Sequence, residues 1–240
     1  MSEAIFVEGL TKSYGGKTVV DHLNFSVKSG TVFGLLGANG AGKSTTIECM
    51  LGIKPADAGT VRLLGENPKK HRHTLFERIG VQFQEGDYQK EIHVSELCEE
   101  TASLYRNPAD WRKLCEQFGI GGKTKASVKS LSGGERQRLF IVLALIPQPE
   151  LVFLDELTTG LDAKARRGVW KTLETLKEHG LTIFLTSHFM DEVEALCDEI
   201  CILKKGTPVF RGTVEQAKQL CGCERFEDAY LQLSDEEVDA

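Results

Sequence analysis

The string Gly37-Ala38-Asn39-Gly40-Ala41-Gly42-Lys43-Ser44-Thr45 constrains this chain more than any other feature. It fits G-x-x-x-x-G-K-[ST] and lies between an apolar run, Thr31 to Leu36, and a helix-compatible stretch that opens at Lys43 and ends near Gly52, before Pro55. A strand that passes through a glycine-rich turn into a helix points backbone N–H groups at an anion. The helix N-terminus adds roughly half a positive charge at the same place. Lys43 is then positioned to reach β- and γ-phosphates, and the Ser44 hydroxyl to ligate Mg²⁺. A glycine turn that only joined strand to helix would have no need of Lys-Ser at that point.

The rest of the chain supplies a scaffold of matching kind. Ile5 and Val7, then Leu23, Phe25 and Val27, alternate with polar residues around a Tyr14-Gly-Gly turn, which predicts an antiparallel hairpin. Strands follow around Thr60 to Leu64 and from Ile79. A charged stretch from Val94 to about Lys129, turning at Asn107-Pro108, predicts a helical insertion. From Ser132 the pattern alternates: helix Gly133 to Ile146, strand Leu151 to Leu154, helix Ala163 to His179, strand Leu181 to Thr186, helix Met190 to Leu196, strand Glu199 to Leu203. Solidly apolar strands alternating with helices predict an α/β fold with a parallel sheet covered on both faces. The domain is expected over 1–233, with the helical subdomain at about 85–145 and an acidic tail at 234–240. From Glu224 onward the acidic chain is expected to fray.

Charge and composition exclude several classes. A formal charge of -6 and a pI near 5.6 give no field for nucleic acid or an anionic membrane. The longest unbroken apolar stretch, Leu139 to Ile146, falls far short of the ~20 residues that cross a bilayer. The first residues lack the basic and apolar regions of a secretory signal, so a cytoplasmic location is expected. Seven cysteines at scattered spacings read as reduced thiols. A zinc site from Cys197, Cys201, Cys221 and Cys223 is the alternative, though their spacing lacks the usual knuckle layout.

Two further segments carry chemistry. Leu151 to Leu154 delivers Asp155 and Glu156 at the C-terminal end of an apolar strand, where open α/β sheets bind ligands. Asp155 suits a Mg²⁺ site and Glu156 suits polarising an attacking water, whereas a solvated turn is the plain alternative for two adjacent acids. Leu131-Ser132-Gly133-Gly134-Glu135-Arg136-Gln137-Arg138-Leu139 opens a long apolar helix. Ser-Gly-Gly alone is an ordinary helix start. The whole nine-residue string, together with the phosphate loop, resembles the ATP-binding subunits of the ABC family, and the resemblance runs from about Ile5 to Leu233.

That resemblance implies a P-loop NTPase (RecA-like) core with an N-terminal antiparallel β subdomain and the helical insertion. It implies ATP and Mg²⁺ as cofactors, and ATP hydrolysis by a pair of subunits closed around two nucleotides. Gly37 through Thr45 would cradle phosphates, and Tyr14, 23 residues before Gly37, would stack on adenine. Ser44, Asp155 and Gln84 would hold Mg²⁺. Glu156, His188 and Gln84 would serve hydrolysis. Ser132, Gly133, Gly134 and Glu135 would address ATP held by the other subunit, and Asp162, in Thr158 to Asp162, would lie at the dimer seam. Glu135 replaces the usual glutamine, which alters charge near the shared site. Leu157 replaces the usual proline, which would loosen the loop toward Asp162.

The implied partners are a second copy of the chain or a homologous ATPase subunit, and an integral membrane permease that would hold the chain at the inner face of the cell membrane. Gln84 to Tyr88 with Val94 to Glu96, Ser187 to Asp198, and Phe226 to Leu233 resemble bacterial drug, polysaccharide or ion exporters with separate permease chains. The segment from Gln84 to about Tyr105 is expected to form the permease groove, with Phe83, Tyr88, Ile92 and Leu97 as candidate anchors and a core position as the equal alternative for Leu97. The alternative is a soluble ABC ATPase working on ribosomes or DNA, although no heptad run or basic stripe supports it. A sensor that binds ATP without turnover is opposed by intact Glu156 and His188.

Overall fold

A computed structural model describes residues 2–83 and 91–234. The N-terminal sheet comprises β1 (Glu3–Tyr14), β2 (Lys17–Lys28) and β4 (Ala58–Leu63), antiparallel in the order β2-β1-β4. Its alternating apolar residues, Ile5, Val7, Leu23, Phe25 and Val27, all point into one core, while Glu8, His22, Asn24 and Lys28 beside them face solvent, as the period of two requires.

The central sheet has the order β5-β6-β7-β3-β8-β9. It is built from β3 (Val32–Leu36), β5 (Ile79–Gln82), β6 (Leu151–Leu154), β7 (Thr182–Thr186), β8 (Glu199–Lys204) and β9 (Thr207–Gly212). Every residue of β3, β6 and β7 is buried, which explains why these strands read as unbroken apolar runs. Phe33 stacks on Phe25 at 5.2 Å and on Phe184 at 5.6 Å, so aromatic rings fasten the two sheets together. The edge strand β9 runs antiparallel to β8, a departure from the all-parallel expectation. Lys205 (φ 49°) and Gly206 (φ 84°) make the two-residue turn between them, the left-handed pair that hairpins favour.

Helices α1 (Lys43–Met50), α2 (Arg72–Phe76), α6 (Ala163–Glu178), α7 (Met190–Leu196), α8 (Val214–Cys221) and α9 (Phe226–Ser234) belong to the core region. The inserted helical part holds α3 (Val94–Ser103) and α4 (Trp111–Gln117), two short 3-10 turns, and then α5 (Gly133–Leu145). Asp110 caps α4 by accepting from the backbone N–H groups of Arg112 and Lys113. Val94, Leu97, Cys98, Trp111, Leu114 and Phe118 pack with Leu139 and Phe140 of α5, so the insertion shares a core with the sheet.

Two expectations are corrected here. The chain beyond Glu224 does not fray before Ser234: α9 buries Phe226, Ala229 and Tyr230 against Val193, Ile200 and Ile202. Its acidic residues Glu227 and Asp228 occupy the first turn, where the helix dipole stabilises them. Leu97 is core, Ile92 packs partly into the same cluster, and Tyr88 lies outside the described residues, so of the four proposed permease anchors Phe83 alone is exposed among the described residues. Among the described residues no cluster of three or more His, Cys, Asp or Glu side chains is placed to hold a metal ion.

Candidate active site

The loop after β3 requires glycine at two points. Gly37 has φ 146°, and a Cβ there would stand 2.4 Å from the Leu203 carbonyl oxygen. Gly42, the N-cap of α1, has φ 105°, and its Cβ would meet the Val19 carbonyl oxygen at 2.5 Å. The backbone is therefore pressed between β8 and β2 in conformations that side chains do not tolerate. The buried Lys43 Nζ lies back across this loop and donates to the carbonyls of Gly37 (2.6 Å) and Ala38 (3.1 Å). That geometry places an ammonium at the centre of a ring of backbone groups.

Facing the loop, the ends of β6 and β7 are cross-braced. Thr186 Oγ1 donates to Asp155 Oδ1 at 2.6 Å and accepts from the Glu156 N–H at 2.8 Å, so one hydroxyl fixes both acids. Burial pushes the Asp155 carboxyl above its ordinary value, against the pull of hydrogen bonds from Thr186 and Ser44. Glu156 takes a left-handed conformation, φ 53°, unusual for a residue with a side chain and one that must be held by its surroundings. The holding groups are Thr186 and Gln137, whose Nε2 donates to the carbonyls of Glu156 (3.1 Å) and Leu157 (2.9 Å). The Glu156 carboxylate meets His188 Nε2 at 3.0 Å and accepts from Thr159 Oγ1 at 3.4 Å.

Leu157 does not loosen this turn. Its side chain is fully buried and its N–H donates to the Thr186 carbonyl at 3.4 Å, a bond that proline could not make.

A cleft of about 580 Å³ opens here, lined by Asn39, Lys43 and Ser44 of the loop and by Glu156, Thr159 and His188. Ala38, Ala41 and Thr45 belong to the same turn and first helical residues, and Gly40 turns it at φ 80°. Val19, Thr159 and Phe189 also line the cleft, and sequence reasoning did not single them out. Nor did it find the bracing roles of Thr186 and Gln137. Tyr14 ends β1 outside the cleft lining, 43% exposed, with the Lys12 and Lys54 ammoniums 5.1 and 5.7 Å from its ring centre. Gln84 lies outside the described residues. Its neighbour Gln82 ties the end of β5 to β6 by donating to the Asp155 carbonyl at 3.0 Å.

None of Ser132, Gly133, Gly134 or Glu135 lines that cleft. Ser132 caps α5, accepting from the Glu135 N–H at 3.2 Å, while Glu135 accepts from the Ser132 N–H at 2.9 Å and pairs with Lys123 at 3.0 Å. The backbone bond from Ser132 and the Lys123 partner hold the Glu135 carboxyl down to about 2. The charge that distinguishes it from glutamine is thus matched by a neighbouring cation. Asp162 caps α6 through the Ala165 N–H at 2.8 Å. A Cβ on Gly134 would lie 3.2 Å from the Gly160 carbonyl oxygen, so the start of α5 and the loop before Asp162 are packed as one surface.

A glycine-loop cradle at the edge of a parallel sheet, opposed by a buried aspartate and a glutamate–histidine pair, defines a P-loop nucleotide hydrolase. The ABC transporter family profile matches residues 20–159, and the chain belongs to that family, as an ATP-binding cassette that hydrolyses ATP. Among sequence relatives, the Nod factor export ATP-binding protein I of Ralstonia nicotianae is 44% identical over 211 residues, covering 86% of this chain and 66% of its own length. The proteins of the same name from Paraburkholderia xenovorans and Mesorhizobium japonicum are 41% and 44% identical, matching 87% of this chain and 70% and 63% of their own lengths. The chain therefore spans about two thirds of these relatives. Among solved structures, an ATP-binding subunit of an ABC transporter superposes with a TM-score of 0.87 at 24% identity, over 96% of this chain and 99% of that one. An ABC transporter cassette in its ADP conformation gives 0.80 at 23% identity, over 99% and 100%. These two likenesses establish the fold.

Proposed function

We propose that two such chains, or one with a homologous subunit, close around two Mg-ATP and drive export through a separate membrane permease, on the inner face of the cell membrane. The observation that carries this reading is the Glu156–His188 pair, 3.0 Å apart and lining the same cleft as Lys43 and Ser44. Lys43 and the N–H groups of 37–45 hold the β- and γ-phosphates. Tyr14 stacks on the base. Glu156 takes a proton from the water that attacks the γ-phosphorus, and His188 orients Glu156 and the γ-phosphate; ADP and phosphate leave.

The donors present fit Mg²⁺. Ser44 and Asp155 offer hard oxygens, and the buried Asp155 carboxylate, whose burial disfavours its charge, is a group that a cation relieves. Held by Ser44 and Asp155, Mg²⁺ would supply charge neutralisation during phosphoryl transfer. Gln84, beyond the end of β5, is its proposed third contact. Ser132 to Glu135 serve the partner's nucleotide, and Asp162 lies at the seam.

The relatives are export ATP-binding proteins by name, which supports a membrane role over the ribosome or DNA alternative. Among the described residues no helix is long and apolar enough to cross a membrane. A cleft of about 480 Å³ between α2 and the end of α3 is lined by Arg72, His73, Phe76, Glu77, Leu104 and Tyr105, with Leu104 72% exposed. The exposed basic run Lys69-Lys70-His71-Arg72-His73 adjoins it in a chain of net charge -6. That combination fits a short amphipathic permease helix bearing carboxylates.

The test is Mg-dependent ATPase activity of the purified chain, together with co-purification of a membrane permease co-expressed with it. Leu104→Asp is expected to keep the isolated ATPase and to lose the permease. Absence of hydrolysis in the wild type removes the ATPase reading, and unchanged co-purification of Leu104→Asp removes the groove.

A further inference from the structure

Apart from the phosphate cleft, the described residues contain one completely buried carboxylate, Glu192 on α7, with zero solvent exposure. Its Oε1 accepts from two donors on different elements: Thr158 Oγ1 at 2.7 Å and Trp170 Nε1 at 2.9 Å. Thr158 is itself buried, two residues beyond Glu156 in the loop that leads to Asp162. Trp170 is on α6, whose N-cap is Asp162. The Glu192 N–H donates to the Phe189 carbonyl at 3.1 Å, and the Phe189 N–H donates to the Ser187 hydroxyl at 3.0 Å, so the turn around His188 closes onto the start of α7 at Glu192.

The other oxygen, Oε2, is buried without a hydrogen-bond partner, as is Arg166 Nε. Arg166 lies over the Trp170 and Phe189 rings, 5.5 and 4.7 Å from their centres, and pairs with Asp191 at 2.9 Å. Taking a carboxylate out of water without filling both oxygens is costly, and a well-packed apolar side chain is often the more stable choice. Stability alone therefore gives little reason for an acid at this place. The acid does join two loops that reach the active site from the ends of the adjacent strands β6 and β7.

We propose that Glu192 is a positioning residue for hydrolysis. It ties the loop carrying Glu156 to the loop carrying His188, so that the two side chains keep their 3.0 Å contact through the nucleotide cycle. Thr158, bonded to the carboxylate, is the link on one side, and the Phe189 carbonyl, bonded to the Glu192 N–H, the link on the other. Glu156 is in a left-handed conformation and His188 sits in a short loop, so neither is fixed by regular secondary structure. A small displacement of either misplaces the attacking water while the phosphate cradle at 37–45 is untouched. This inference rests on the ATPase reading, and the wild-type arm of its test checks that reading separately.

The experiment measures steady-state ATPase and fluorescent-nucleotide affinity for the wild type, Glu192→Ala, Glu192→Gln, Thr158→Val and the double variant Thr158→Val/Glu192→Ala. Glu192→Ala is expected to lower kcat by about 10-fold or more, in line with the cost of slight misalignment, with nucleotide Kd within about twofold of wild type. Glu192→Gln keeps an oxygen for Thr158 and Trp170 and recovers most of the rate. Thr158→Val lowers kcat in the same sense, and the double variant is no slower than Glu192→Ala, because both changes cut one linkage. If Glu192→Ala does not fold, Thr158→Val decides alone. The proposal is overturned by a wild-type kcat in either single variant, by nucleotide affinity falling in step with kcat, or by losses that multiply in the double variant.

Discussion

In the proposed reading the phosphate cradle and the start of α5 both meet a triphosphate, yet they are constructed in opposite ways. The cradle is buried and braced from outside itself. Val19 and Leu203 press on its glycines, Thr186 clasps both acids, and Gln137 reaches across from α5. The start of α5 is exposed, and its polar groups bond largely among themselves, Ser132 to Glu135 and Glu135 to Lys123. One half-site is assembled within the chain. The other is capped, preformed and turned away from the cleft of its own chain, as a surface offered to a second copy is. Gln137 and the contact of Gly134 with Gly160 join the two, so an event at the exposed half can reach Glu156.

The largest effect is expected from Lys43→Ala. It removes the ammonium at the centre of the braced half and with it the counter-charge for the triphosphate, so nucleotide affinity and hydrolysis both fall to background in titration and phosphate-release assays. Glu156→Gln separates the two steps: binding persists, and kcat falls by about 10²–10⁴-fold, the usual contribution of a general base. Ser132→Arg sharpens the contrast, because it alters only the exposed half. Equilibrium binding of nucleotide by the isolated chain is expected to stay within about twofold of wild type while hydrolysis is lost, since kcat alone depends on the completed site. Loss of binding in that variant would place the signature in the cis cleft.

Smaller effects concern stability. Burial raises the Asp155 pKa, so in the nucleotide-free protein its charge costs stability, a cost that grows as pH rises from the ordinary value of 3.8 through the raised one and is complete above it. Asp155→Asn is accordingly expected to raise the nucleotide-free Tm at neutral pH by about 2–4 °C per kcal/mol of relief, and to abolish Mg-dependent turnover. The smallest effect lies at Glu135. Its carboxyl is held down to about 2 from an ordinary 4.5, so its stabilisation is present above 4.5 and disappears as pH falls through 2. Thermal melts of wild type and Glu135→Gln are expected to differ least near pH 2, with Glu135 the more stabilising above pH 4.5.

The same contrast separates what the sequence discloses from what it conceals. Gly37, Gly42 and Lys43 are legible because positive φ and phosphate charge leave few residue types and a fixed spacing. Asp155 and Glu156 are legible because a wholly buried strand that ends in two acids is rare outside a ligand site. Thr186 and Gln137 are not, since their partners are 30 and 19 residues away and nothing local distinguishes them from ordinary polar positions. The strand β9, with Pro208 and half its residues facing out, carries too weak an apolar pattern to be read. Beyond Glu224, acidic composition hid the stripe of Phe226, Ala229 and Tyr230 that makes α9 part of the core. The replacement at Leu157 could be interpreted only once its buried side chain and its bond to Thr186 were placed.

The central claim, that an exposed α5 start completes the cleft of another copy, is tested most directly by the mass of Glu156→Gln in solution. Size-exclusion chromatography with light scattering in Mg-ATP is predicted to give twice the chain mass of 26.5 kDa for Glu156→Gln, and 26.5 kDa for the Glu156→Gln/Ser132→Arg double variant. A nucleotide-dependent dimer that persists in the double variant, or a Glu156→Gln protein that stays monomeric with ATP bound, would contradict it.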